Sequence, residues 1–232
     1  MSATELAVEE VDLATTSVRE LNQRLHELDG GPSRWRVLNP DGAHSIAAGL
    51  DAEVEVEIDG HVGYYCAGMN KRATVRIAGN CGVGVAENMM SGTVVVEGDA
   101  SQSAGATARG GLLVIRGSAS ARCGISMKGA EIVVCGSIGH AGGFLAQRGT
   151  LVVCGDAGDG LGDSIYETRA YVRGEVAGLG ADCVEKPIAE EHQAQLADLL
   201  ERAEVDLDPA EFRRYGSARR LYSFQIDNAG EY

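Results

Sequence analysis

The chain has 232 residues, with 34 acidic side chains against 20 Lys and Arg, a formal net charge of −14. That balance argues against nucleic acid and anionic membrane surfaces as partners, since both recruit clustered Lys and Arg. No apolar run approaches the roughly 18 residues that span a bilayer, and the acidic start MSATELAVEE lacks a basic-then-apolar leader pattern, so a cytoplasmic location is expected. Gly is the outlier at 32 residues, with only four Pro. High Gly among short apolar clusters, without a collagen period, directs attention to internal repeats.

Taken in chain order, residues 1–50 read as an N-terminal cap segment. Ser17-Val18-Arg19-Glu20 is a capping-box start. Val18, Leu21, Leu25 and Leu28 follow at helical spacing, which predicts a helix over 18–28. Arg34–Asn39 resembles a short strand, and Asn39-Pro40-Asp41-Gly42 a turn.

Residues 51–180 carry a repeat. A strand-like unit ending in Gly recurs at Gly60, Gly79, Gly98, Gly117, Gly136, Gly155 and Gly174, always 19 residues apart. Four residues before the Gly stand Val56, Val75, Val94, Leu113, Ile132, Leu151 and Ala170. Two before it stand Ile58, Ile77, Val96, Ile115, Val134, Val153 and Val172. Alternate strand residues share a face, so both columns point into one core. Nineteen residues are too few for a helix-pair repeat and suit one coil of a solenoid. The expected fold is all-β, a right-handed parallel β-helix of seven coils with short helical flanks. Small residues three and seven positions after the marker, such as Gly82 and Ala86 or Gly139 and Gly143, are expected at tight corners with positive φ. Met89, Ala108, Met127, Ala146 and Ile165, ten after the marker, form a further inward column.

The outward phase three residues before the marker reads Glu57, Arg76, Val95, Val114, Val133, Val152, Tyr171. A wet face has little use for four stacked valines, so Val95, Val114, Val133 and Val152 are expected to be covered. Residues 181–232 form a C-terminal helical segment and tail. Pro187 opens a helix of about 16 residues whose Ile188, Leu196, Leu199, Leu200 and Ala203 are apolar. That stripe is the expected cover, with a partner subunit as the alternative. Asp208-Pro209 starts a second helix, and Leu221–Phe224 is strand-like.

Chemistry-bearing clusters are sparse. The five histidines share no phase of the repeat, and the six cysteines form no C-x-x-C pair. Catalytic, cofactor-binding and metal sites are therefore not expected in this chain. Glu55, Glu57 and Asp59 alternate with Val54, Val56 and Ile58, as on the exposed face of an edge strand. Cys135 and Cys154 share a phase on adjacent coils and are expected as free thiols. Two basic groups are candidate docking surfaces: Lys71, Arg109 and Lys128 at one phase, and Arg213, Arg214, Arg219 and Arg220 near the end.

The spacing G-x-x-G-x-x-x-G, as in Gly136-Gly139-Gly143 and Gly155-Gly158-Gly162, resembles the glycine-rich C-terminal domain of the glutamate synthase large subunit. The segment GDAGDGLGDSIYETRAYVRG is similar to the last coils of relatives that carry this domain as a separate subunit. These include the β-helix subunit of N-methylglutamate synthase. The corresponding subunit of formylmethanofuran dehydrogenase and of the formyltransferase/hydrolase complex is a more distant relative. The resemblance implies a non-catalytic structural subunit. It would join an amidotransferase-like chain to an FMN-binding synthase chain within a larger hetero-oligomer of oxidoreductase type in glutamate metabolism. It places the FMN and an iron–sulfur cluster in the partner. A free-standing carbohydrate-active β-helix is the other reading, but it calls for an outer carboxylate ladder that the repeats lack.

Overall fold

The computed structural model describes residues 7–28 and 33–221. Its strands are β1 (Val8–Asp12), β2 (Ser33–Leu38), β3 (Val54–Ile58), β4 (Thr74–Ile77), β5 (Thr93–Val96), β6 (Leu112–Ile115), β7 (Lys128–Val134), β8 (Arg148–Val153), β9 (Arg169–Val172), β10 (Cys183–Lys186) and β11 (Arg213–Ser217). Two helices accompany them, α1 (Val18–His26) and α2 (Glu190–Arg202). The strands form one sheet in the order β1 to β9, then β11, then β10. From β1 to β9 every neighbour is parallel. This is a right-handed parallel β-helix, and Val56, Val75, Val94, Leu113, Ile132, Leu151 and Ala170 stack in register through it.

Both inward columns of the repeat are buried, none of their residues more than 1% exposed, and they fill one continuous core. The column from Met89 to Ile165 lies on the same core. At its head Asn70 is fully buried, satisfied by reciprocal bonds with the Ala73 backbone, Nδ2 to O at 2.8 Å and N to Oδ1 at 3.2 Å. The corner seven residues after the marker has positive φ at Ala67, Ala86, Gly105, Gly124, Gly143 and Gly162. Three residues after the marker, the expectation of positive φ fails. Smallness there serves close approach instead, since a Cβ on Gly82 or Gly158 would meet the Gly63 or Gly139 backbone at 2.6 or 2.7 Å.

The sheet does not begin at the first marker strand. β2 pairs with β3 and β1 with β2, so β3 is an inner strand rather than the edge. Glu55 and Asp59 are accordingly held by β2 side chains, Glu55 by Arg34 at 2.7 Å and Asp59 by Arg36 at 2.8 Å. Helix α1 lies within the β1–β2 connection. Ser17 Oγ caps it by accepting from the Glu20 N–H. The helix ends at His26, two residues short of the expected end. Leu21 and Leu25 close the end of the core, and Asn22 ties the helix to the first corner, donating to Ser45 O and accepting from Ala47 N.

At the other end, α2 has 13 residues rather than 16, and the Asp208-Pro209 signal gives a single 3-10 turn, Pro209–Glu211. Strand β11 returns antiparallel between β9 and β10. Of the expected tail strand only Leu221 falls within the described residues.

Candidate functional site

The outer face of β5–β9 forms a second core. Val95, Val114, Val133, Val152 and Tyr171 are buried against Leu196, Leu199, Leu200 and Ala203 of the α2 segment, with Phe212 at the margin. The cover is the chain's own helix. Polar clamps fix it at its middle and its C-terminal end. Arg202 grips Glu131 through two bonds of 2.7 and 2.8 Å, and Arg169 donates to Gln195 at 2.8 Å. Arg116 donates to the Ala203 carbonyl at 2.6 Å and to the Glu204 carboxylate at 2.9 Å. Between the helix and the sheet edge lies a cleft of ≈ 460 Å³ lined by Glu131, Thr150, Arg169, Tyr171 and Gln195.

The candidate docking cations divide. Lys71 is paired with Asp51 at 2.7 Å, while Arg109 is exposed and Lys128 half-buried on later coils. Arg213 and Arg214 alternate on β11, so the basic run does not form one patch. Arg213 donates to the Gly174 carbonyl at 2.6 Å, and Arg214 to the Pro187 carbonyl at 3.0 Å. Arg220 is exposed, its backbone N–H bonded to Asp182.

The structure instead gathers Arg169, Lys186, Arg214 and Arg219 around a cavity of ≈ 50 Å³. Two of these, Arg169 and Lys186, stand outside the run legible in sequence. Among the described residues Arg169, Lys186 and Arg214 form no ion pair, although Arg169 and Arg214 have neutral hydrogen-bond acceptors. Burial and the nearby Arg219 and Arg214 guanidinium groups push Lys186 below its ordinary value. Burial, Arg214 and Arg169 do the same to His192. Thr168 lines this cavity, and its buried hydroxyl lacks a hydrogen-bond partner among the described residues. Such a corner suits an anionic group of another molecule.

One column escaped sequence reasoning. Immediately after the first six markers stand His61, Asn80, Asp99, Ser118, Ser137 and Asp156. Each side chain accepts the backbone N–H of the equivalent residue one coil on, at 2.7–3.1 Å. Short acceptors recurring beside the marker were the available signal.

The cysteines are all free thiols. Burial pushes Cys81, Cys123 and Cys183 up to about 12. Cys135 is different. The neighbouring Cys154 thiol and the Arg116 guanidinium push it below its ordinary value, and the same pairing pushes Cys154 up. Among the described residues no group of three or more His, Cys, Asp or Glu is placed to hold a metal ion, and no helix is long and apolar enough to cross a membrane.

A closed β-helix with a packed interior and a helix-covered flank is the class that these features define: its outer corners are what other molecules can meet. No protein-family model matches the sequence. The chain is 60% identical over 225 residues to Protein GlxC of Rhizobium meliloti (strain 1021), covering 96% of this chain and 99% of that protein. It belongs to the GlxC family. The fold is shared with a chain in the crystal structure of the formyltransferase/hydrolase complex FhcABCD from Methylorubrum extorquens, solved with methylofuran. The match has a TM-score of 0.53 at 20% identity, over 89% of this chain and 90% of that one.

Proposed function

We propose that this chain is a non-catalytic assembly subunit of a glutamate-synthase-like complex, of the N-methylglutamate synthase type. It joins an amidotransferase-like chain to an FMN-binding synthase chain, and the FMN and iron–sulfur cluster reside in the synthase partner. The observation that carries the reading is the basic corner of Arg169, Lys186, Arg214 and Arg219, a cationic group exceptional on a chain of net charge −14. It suits an acidic segment of a partner, and Arg109 and Lys128 offer a second contact. The G-x-x-G-x-x-x-G coils and the family membership support the glutamate-synthase relation. The backbone likeness to a chain of a multi-subunit complex supports a subunit role.

Affinity purification of the tagged full chain from its source cells tests the proposal. The expected product is a stoichiometric complex whose largest partner carries FMN, seen by native mass spectrometry and absorption near the flavin bands. Lys186→Glu should weaken that complex while leaving the chain's melting temperature unchanged. Recovery of the chain alone under gentle conditions would overturn the reading. The likeness to FhcABCD favours one second reading, a subunit of a formyltransferase/hydrolase-type complex. Formyl transfer by a flavin-free complex would select it.

A further inference from the structure

One outer column remains unused by the assembly role. The residue just before each marker Gly faces outward, and in register the middle of this column reads Glu97, Arg116, Cys135, Cys154, Arg173. Parallel neighbours in such a stack lie about 4.8 Å apart. Two thiols therefore sit side by side with a guanidinium on the coil before and another on the coil after. The register Val134↔Val153 and the bond from Cys154 N–H to Val134 O, at 2.9 Å, fix the two cysteines on equivalent positions. That spacing falls within the Cα separation of about 4.4–6.8 Å that a disulfide needs.

The two thiols differ in access. Cys135 is half-buried, while Cys154 is 5% exposed and packs in the apolar layer beneath α2. Arg116 is immobilised by its bonds to Ala203 and Glu204, so its charge is in place beside Cys135 before any reaction begins. A partly exposed thiol beside a fixed cation, with a second thiol in reach, is the arrangement of oxidant-sensing cysteine pairs.

We propose that Cys135 and Cys154 form a hydroperoxide-oxidisable dithiol, with Cys135 as the nucleophile and Cys154 as the resolving thiol. The Cys135 thiolate attacks the terminal oxygen of the hydroperoxide. The O–O bond breaks, the alkoxide or hydroxide leaves and takes a proton from solvent, and Cys135 becomes a sulfenic acid. The Cys154 sulfur then attacks the Cys135 sulfur. The S–O bond breaks, and the departing hydroxide carries off the Cys154 proton as water. Two thiols are oxidised to one disulfide, and one hydroperoxide is reduced to an alcohol, or to water from hydrogen peroxide. A small-molecule dithiol reverses the bond.

The test uses the full chain and peptide mass mapping. Iodoacetamide labelling of Cys135 should level off at a lower pH than that of an ordinary thiol near about 8.5. Arg116→Met should move that profile upward by about a unit or more. One equivalent of hydrogen peroxide should yield a single linked pair, the peptides bearing Cys135 and Cys154. Cys154→Ser should stop at a sulfenic acid on Cys135 that dimedone captures. A Cys135 profile of ordinary shape, or peroxide treatment without a Cys135–Cys154 link in the wild-type chain, overturns the proposal.

Discussion

Ile115 and Val134 lie in register on the middle coils and are fully buried. Truncation of either to Ala removes methylene contacts that a rigid stack cannot close over, and should cost about 2–4 kcal/mol in urea unfolding. A loss under about 0.5 kcal/mol at both sites would contradict their inward placement. Gly117 answers to a different constraint. Its φ is unexceptional, but an added Cβ would meet the Gly98 carbonyl group at 2.8–2.9 Å. Gly117→Ala should therefore lower stability by about 1–3 kcal/mol through coil-to-coil crowding, read as a lower melting temperature. The marker glycines were legible because 19-residue spacing repeats them. Their reason was not, because close approach depends on the neighbouring coil. The same holds for the acceptors from His61 to Asp156, whose residue types vary while the hydrogen bond does not.

Among elements, α2 has the clearest task. Val133 is fully buried between β7 and the helix. Val133→Lys would place an unpaired charge in that layer and should destabilise the isolated chain by about 3–5 kcal/mol. The same phase is exposed on β3, so the neutral Glu57→Gln should change stability by no more than about 0.5 kcal/mol. A near-wild-type melting curve for Val133→Lys would show that α2 does not hold the stripe. The covered stripe was readable because four outward valines contradict a wet face. Strands β1, β10 and β11 were not. β1 (VEEVD) contributes one buried residue, Val11, and stands outside the period. β11 (RRYGS) opens with two arginines and buries only its last three residues, so neither alternation nor apolar content announced it. Its antiparallel return depends on α2 bringing the chain back, which is a tertiary fact.

At the scale of the whole molecule, a stack of strands has two open edges, each a template for another sheet. β1 ends one side with Glu9 and Glu10 exposed, paired to Arg24 and Arg36. Among the described residues β10 ends the other, with Val184 and Glu185 exposed. Glu9→Val with Glu10→Val should make the chain self-associate, seen as a larger species by light scattering after gel filtration. A mass unchanged from that of the wild-type chain would show that charge is not what blunts this edge. Equivalence of the inner coils carries a further consequence. Each joins its neighbours through the same glycine step, the same corner and the same side-chain-to-backbone bond, whichever acceptor supplies it. A coil can therefore be spliced in without either end sensing a change. Duplicating residues 80–98 should give a folded chain longer by one strand spacing, about 4.8 Å. The solenoid is in this sense a ruler graduated in coils, and the number of repeats sets how far apart it holds whatever grips its two ends.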